Sequence, residues 1–146
     1  MIHKAFTLIE LIFAIVIIGV LSAVSVPKFI GLNDKANVST VIKMVRDVES
    51  SAVSSAVNYI DINGFTSSEL SDFIELSGNN ISYDSSSNDG TYNIKNDSNE
   101  VIAYVTFKND DRNITVSIDC SKFGNSQQVS TCNEKIDQPY IKSYIF

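Results

Sequence analysis

The feature that most constrains this chain is an apolar run from Phe6 to Val26 that carries a single carboxylate, Glu10, near its start. A run of about 20 apolar residues is enough to span the hydrocarbon layer of a bilayer as one helix. An ionised carboxylate inside that layer costs on the order of a few kcal/mol, so an acid placed there marks a functional position in need of a compensating charge. Ahead of the run stands Met1-Ile2-His3-Lys4-Ala5. A cut between Ala5 and Phe6 would place a new α-amine close to Glu10. Lys4 and His3 favour a cytoplasmic N-terminus by the positive-inside rule, which leaves the rest of the chain beyond the inner membrane.

A secretory signal peptide or a plain anchor competes with this reading. The basic start and apolar core fit a signal, but Glu10 would then lie in the hydrophobic region, and Ser22-Ala23-Val24 makes a poor small-residue cleavage site.

The segment Phe6-Thr7-Leu8-Ile9-Glu10, behind a short basic leader and ahead of a long apolar helix, resembles the type IV pilin and type II secretion pseudopilin superfamily. Gly19 and Pro27 fall where that family places helix-perturbing residues. One position departs, because the residue before the cut is usually Gly and here is Ala5. The resemblance implies a leader at 1–5, cleavage between Ala5 and Phe6 by a prepilin peptidase, and N-methylation of Phe6. It also implies membrane lipids around the helix before assembly, an inner-membrane assembly platform, and polymerisation with itself or with other pilins. In that polymer the Phe6 amine pairs with Glu10, and Phe6, Glu10, Gly19 and Pro27 are the assembly residues. The product is a surface filament or a periplasmic secretion pseudopilus. A minor pilin for DNA uptake and a monomeric signal-anchored binding protein also stay open, as do roles in adhesion and motility.

Beyond Pro27 the pattern becomes amphipathic. Val38, Val41, Val45, Val48, Ala52, Ala56 and Tyr59 recur at steps of three and four, while Lys35, Lys43, Arg46, Asp47 and Glu49 occupy other faces. One helix from about Phe6 to Ile60 is expected, ~80 Å long at 1.5 Å per residue. Segment 6–27 is its transmembrane or filament-core part and 28–60 its amphipathic half. Pro27 has no amide to donate and disfavours α geometry at Val26, so a kink or local unwinding is expected there.

Residues 61–146 form the expected head. Asn63-Gly64 ends the helix, and Thr66-Ser67-Ser68-Glu69 has capping-box spacing ahead of a short helix ending near Gly78. Asp84 to Gly90 is a polar loop whose spacing misses the EF-hand pattern. Thr91–Lys95, a strand with Val101, Ala103, Val105 and Phe107 on one face, and another with Ile114, Val116 and Ile118 follow as an antiparallel meander. Tyr140 to Ile145 adds a final strand. The fold class is therefore α+β, a long N-terminal helix packed on a small antiparallel sheet.

Cys120 and Cys132, the two cysteines, read as one disulfide in an exported domain. Closing a loop of this length contributes about 3 kcal/mol. The enclosed stretch, Ser121 to Thr131, is a polar loop not expected to fold on its own. In type IV pilins a similar disulfide frames a surface loop, whereas major pseudopilins typically lack one. Asn113-Ile114-Thr115 meets the Asn-x-Thr glycosylation pattern, and Asp111 extends it towards the acidic bacterial sequon.

Seventeen acids against eleven Lys and Arg give a net charge of −6, which becomes −7 once Lys4 is removed with the leader. A general nucleic-acid surface is not expected, because phosphate binding needs clustered cations. The one histidine, His3, lies in the leader, leaving no general base, triad or zinc ligand of that type. No enzyme activity, cofactor or metal is expected.

Overall fold

A computed structural model describes residues 7–64, 68–85 and 90–146. The chain divides into two compact units, Met1–Asp34 and Lys35–Phe146. One helix, α1 (Leu8–Asn63), contributes to both. It ends where the sequence says it must: Gly64 takes φ +75°, the left-handed conformation that closes helices, and its amide donates to the Ile60 carbonyl at 2.8 Å. The expected unwinding at Pro27 is absent, since α1 is helical throughout. A proline removes one bond of the ladder, and the bonds on either side can carry the helix across it.

In the first unit, every described large apolar side chain from Leu8 to Leu32 is at least 43% exposed. In the second, α1 presents Val38, Ile42, Val45, Val48, Ala52 and Ala56 as a buried stripe. Ile42 takes the central place expected for Val41, which is only half-buried at the stripe's edge. Both positions continue the spacing from Val38, and the larger side chain faces the sheet.

The sheet has five strands in chain order, β1 (Ile81–Asp84), β2 (Thr91–Lys95), β3 (Val101–Lys108), β4 (Asn113–Ile118) and β5 (Tyr140–Ile145), all antiparallel. Its buried face alternates as the sequence dictates over Ala103, Val105 and Phe107 and over Ile114, Val116 and Ile118. Val101 breaks the expected alternation. Ile94 pairs with Ala103 while Lys95 pairs with Val101, so Ile102 is the extra residue of a bulge. The bulge turns Ile102 inward, 3% exposed, and Val101 outward.

Between α1 and the sheet, the short helix expected up to Gly78 is a single 3-10 turn, Leu70–Asp72. Its cap is Glu69, whose amide donates to the Asp72 carboxylate at 2.8 Å. Thr66, the expected cap, lies outside the described residues. This segment is tied to the sheet by the Tyr92 hydroxyl, which donates to the Ile74 carbonyl, and by Phe73 set edge-on to Phe107 at 5.0 Å. Gly90 takes φ +64°, and a Cβ there would run into the Tyr83 hydroxyl and lie 3.0 Å from the Leu70 amide.

The disulfide joins Cys120 to Cys132 with the Cα atoms 5.5 Å apart. What it encloses is more than a polar loop: a 3-10 turn, Cys120–Lys122, and most of a second helix, α2 (Ser126–Lys135). Asn125 caps α2, accepting from the Gln128 amide at 2.9 Å. Thr131 and Cys132 are its buried residues, so one short turn of side chains anchors an otherwise polar helix.

Candidate functional site

The candidate site is the start of α1. Ala5 and Phe6, the expected cleavage and methylation positions, lie outside the described residues. Thr7 is the residue before the helix, and its hydroxyl accepts from the Glu10 amide at 3.4 Å and donates to the Glu10 carboxylate at 3.5 Å. Thr-x-x-Glu is capping-box spacing. The signal was present in Thr7-Leu8-Ile9-Glu10 and is missed when Glu10 is read only as a charge. The acid also sits in the first turn, where the unsatisfied amides favour a negative group.

These contacts orient Glu10. Its side chain is exposed, and among the described residues its hydrogen-bond partner is the Thr7 hydroxyl. Around it Leu8, Leu11 and Phe13 are 77%, 59% and 63% exposed. A contiguous apolar surface of this kind marks contact with a membrane or another protein. By length and composition this helix is sufficient to cross a bilayer. A Cβ at Gly19 would meet nothing within 4 Å, so nothing described in this chain requires a glycine there. Glu10, Gly19 and Pro27 share α1 but are not brought together by the fold.

The second unit holds another carboxylate of α1, in a different situation. Glu49 accepts from the Tyr140 hydroxyl at 2.6 Å, from the Lys142 ammonium at 2.7 Å and from the Tyr144 hydroxyl. Its side chain keeps 15% of its exposure. Burial alone would raise its pKa, but the hydrogen bonds from Lys142, Tyr140 and Tyr144 and the Lys142 charge overcome this and hold it at about 2. The same hydrogen bond, donated by Lys142 to Glu49, raises the Lys142 pKa. Sequence reading placed Glu49 on a face other than the apolar stripe. It lies four residues after Val45 and three before Ala52, on the flank of the buried stripe, and Tyr140-x-Lys142-x-Tyr144 lines one face of β5 opposite it.

Of the other expected site residues, Cys120 and Cys132 are joined in the disulfide. Asn113 is the first residue of β4 rather than part of the preceding turn. It is half-buried, and its side-chain oxygen is enclosed without a hydrogen-bond partner among the described residues. The loop from Asp84 to Gly90 falls largely outside the described residues, and among those described no group of three His, Cys, Asp or Glu could hold a metal.

Comparison with known proteins adds two findings. The family model described as the prokaryotic N-terminal methylation motif matches residues 1–26. The chain is also 51% identical over 53 residues to the type IV narrow pilus major component PilA5 of Thermus thermophilus. That match covers 36% of this chain and 41% of the relative, so the chain spans about two fifths of the curated protein it resembles. No solved structure matches.

Proposed function

We propose that this chain, whose N-terminal methylation motif and pilin relative support a member of the type IV pilin superfamily, is the structural subunit of a type IV pilus-like filament. The observation that carries the proposal is the coincidence of that motif with an apolar half-helix whose described large side chains are exposed and which holds one acid, Glu10. In the proposed sequence of events, a prepilin peptidase at the cytoplasmic membrane face cuts between Ala5 and Phe6, and Phe6 is N-methylated. The subunit then spans the inner membrane once, with lipid covering Leu8 to Leu32. An assembly platform extracts it into the polymer. There the same side chains pack against those of other subunits, and the Phe6 amine of one subunit meets Glu10, its own or a neighbour's.

The physical reason for a single Glu is economy of charge. Away from water an unpaired carboxylate is strongly disfavoured, and a positioned amine relieves that penalty. Only registers that bring amine and acid together are then stable, so the pair selects the stagger of neighbouring helices. The surrounding Leu, Ile and Phe pass from lipid to neighbouring helices, and their packing selects no register comparably.

The test is N-terminal peptide mass spectrometry on surface material sheared from expressing cells, compared with the membrane fraction. Methylated Phe6 as the terminus in sheared fibres is the expected result. The same terminus confined to membranes would favour a secretion pseudopilin or a minor subunit instead, and an intact Met1 terminus would sink the filament reading. Intact mass from the same sample decides whether Asn113 carries a glycan.

A further inference from the structure

The side of the sheet turned away from α1 is built from rows of side chains that run straight across the strands. In one row Thr91 of β2 stands opposite Thr106 of β3, Thr106 opposite Thr115 of β4, and Thr115 opposite Ser143 of β5. Their hydroxyls are paired, Thr91 with Thr106 at 3.0 Å and Thr115 with Ser143 at 2.8 Å. A hydroxyl gives one proton and accepts two, so each pair keeps a proton and lone pairs for an outside partner. In the next row Asn93, Tyr104, Ser117 and Ile141 stand opposite one another in the same strand order. Strands ~4.8 Å apart and rows about 7 Å apart make a regular array of donors and acceptors.

This face is uncharged. In a chain with 19% charged residues, neither row holds a Lys, Arg, Asp or Glu from β2 to β5. Asp84 and Lys108 stand at its margins. A solvent-facing surface ordinarily mixes both signs of charge, so a neutral one of this extent calls for a reason. At its centre is Tyr104, half-buried between the short side chains of Asn93 and Ser117. Its hydroxyl has no partner among the described residues. Beyond Ser117 stands Ile141, 58% exposed.

We propose that this face binds a neutral polysaccharide. The match is one of charge, neutral to neutral. An uncharged face is covered without stripping water from an ion, and it offers no electrostatic gain to nucleic acid, anionic lipid or an acidic polymer. Covering its hydroxyls does require a partner rich in both donors and acceptors, because a dry, unpaired hydroxyl is costly. A sugar ring supplies them at its edge, and the C–H groups of its face suit the Tyr104 ring and Ile141. Tyrosine brings rigid contact area at a small entropic cost. A polymer laid across several strands engages the repeated hydroxyls together, so weak single contacts add up. A second copy of the chain is the poorer occupant, since two like faces meet isologously and close into a dimer instead of propagating. The site goes beyond the filament reading, which assigns polymerisation to the first half of α1.

Sedimentation with insoluble polysaccharides tests it, on the full-length chain in a zwitterionic detergent that carries no sugar headgroup. Cellulose, chitin and starch are the neutral polymers, and calcium-free alginate beads cross-linked covalently are the anionic one. Wild type is expected to sediment with at least one neutral polymer, equally at low salt and at about 0.5 M, and not with alginate. Tyr104→Ala and, separately, Ser143→Lys are each expected to raise the Kd by about tenfold. Ser143 is exposed on an edge strand, so that variant keeps the test intact if Tyr104→Ala melts early. No sedimentation with any neutral polymer, sedimentation that salt abolishes, or an unchanged Kd in both variants overturns the site. A wild-type dimer that Ser143→Lys converts to monomer gives the face to a second copy and overturns it too. None of these outcomes bears on the filament reading, which the sheared-fibre terminus decides separately.

Discussion

Glu10 and Glu49 are two carboxylates on one helix, and their surroundings separate what this chain completes alone from what it leaves to other molecules. Glu49 sits at 15% exposure with two phenols and an ammonium directed at it. Glu10 sits among exposed Leu, Ile and Phe with one threonine hydroxyl at 3.5 Å. The second unit satisfies its acid internally and buries its apolar stripe. The first leaves its apolar surface exposed, and in the proposed filament lipid covers it before assembly and other subunits after. The contrast locates the buried core in residues 35–146 and, on the proposed function, association in the first half of α1.

Removing each carboxylate in turn should give opposite phenotypes. Glu10→Ala is expected to lower fibre mass in sheared fractions by tenfold or more, since it removes the acid proposed to select the register. The melting temperature of the solubilised chain should stay within about 1 °C, because Glu10 belongs to the first unit and is exposed there. Wild-type fibre yield from that variant would break the comparison from the association side.

Reducing the disulfide acts on the other side. Opening the Cys120–Cys132 link should cost about 3 kcal/mol of stability, or roughly 10–20 °C in melting temperature. Calorimetry with and without reductant measures it. The effect on assembly should track the loss of folded head and no more.

Glu49 gives a smaller effect with a defined pH signature. Its folded-state pKa is about 2 against an ordinary 4.5. A depressed acid contributes stability that is fully present above the unfolded value and is lost as pH falls through the folded value. Stability should therefore decline between about pH 4.5 and 2. The amount is on the order of 2 kcal/mol once solvent screening around the half-exposed Lys142 is allowed for. Glu49→Gln should remove this part of the acid slope. Urea titrations at pH 6 and pH 3 on wild type and variant decide it, and an unchanged slope would show that β5 is held to α1 by packing alone.

The same contrast governs how much of the molecule was legible in its sequence. The helix, four of the five strands and the disulfide were readable because each rests on a strong local pattern: a three-four step, strict alternation, or a pair of cysteines. Strand β1 was not, because Ile81-Ser82-Tyr83-Asp84 is a short edge strand with no fully buried residue to set a period. Helix α2 was hidden by its polarity, although Asn125 three residues before Gln128 was a start signal. Ile102 was assigned to the wrong face because a bulge shifts the phase and leaves no mark in the sequence. For the candidate site, the N-terminal methylation motif was legible over the first residues, and the part of Phe6, Glu10, Gly19 and Pro27 in assembly is a proposal built on it. The Glu49 cluster was not, because its members are about ninety residues apart and meet only when β5 reaches the flank of α1.

The smallest expected effect falls at Thr7, the residue that caps the helix beside Glu10. In Thr7→Val the side chain keeps its shape and loses its hydroxyl, so the cap on the Glu10 amide and the contact to the Glu10 carboxylate both go. Loss of an N-cap typically costs ~1 kcal/mol of helix stability. Here the loss falls on the first turn, outside the unit that melts cooperatively, so the melting temperature should not move. If Thr7 holds Glu10 in place for the incoming amine, fibre yield should fall by severalfold, well short of the loss in Glu10→Ala. Thr7→Ser, which restores the hydroxyl, should recover it. Equal yields for Val and Ser would mean that the charge of Glu10 suffices and its orientation does not matter. The comparison would then sharpen to one acid positioned by its own chain, Glu49, and one positioned only by its neighbours.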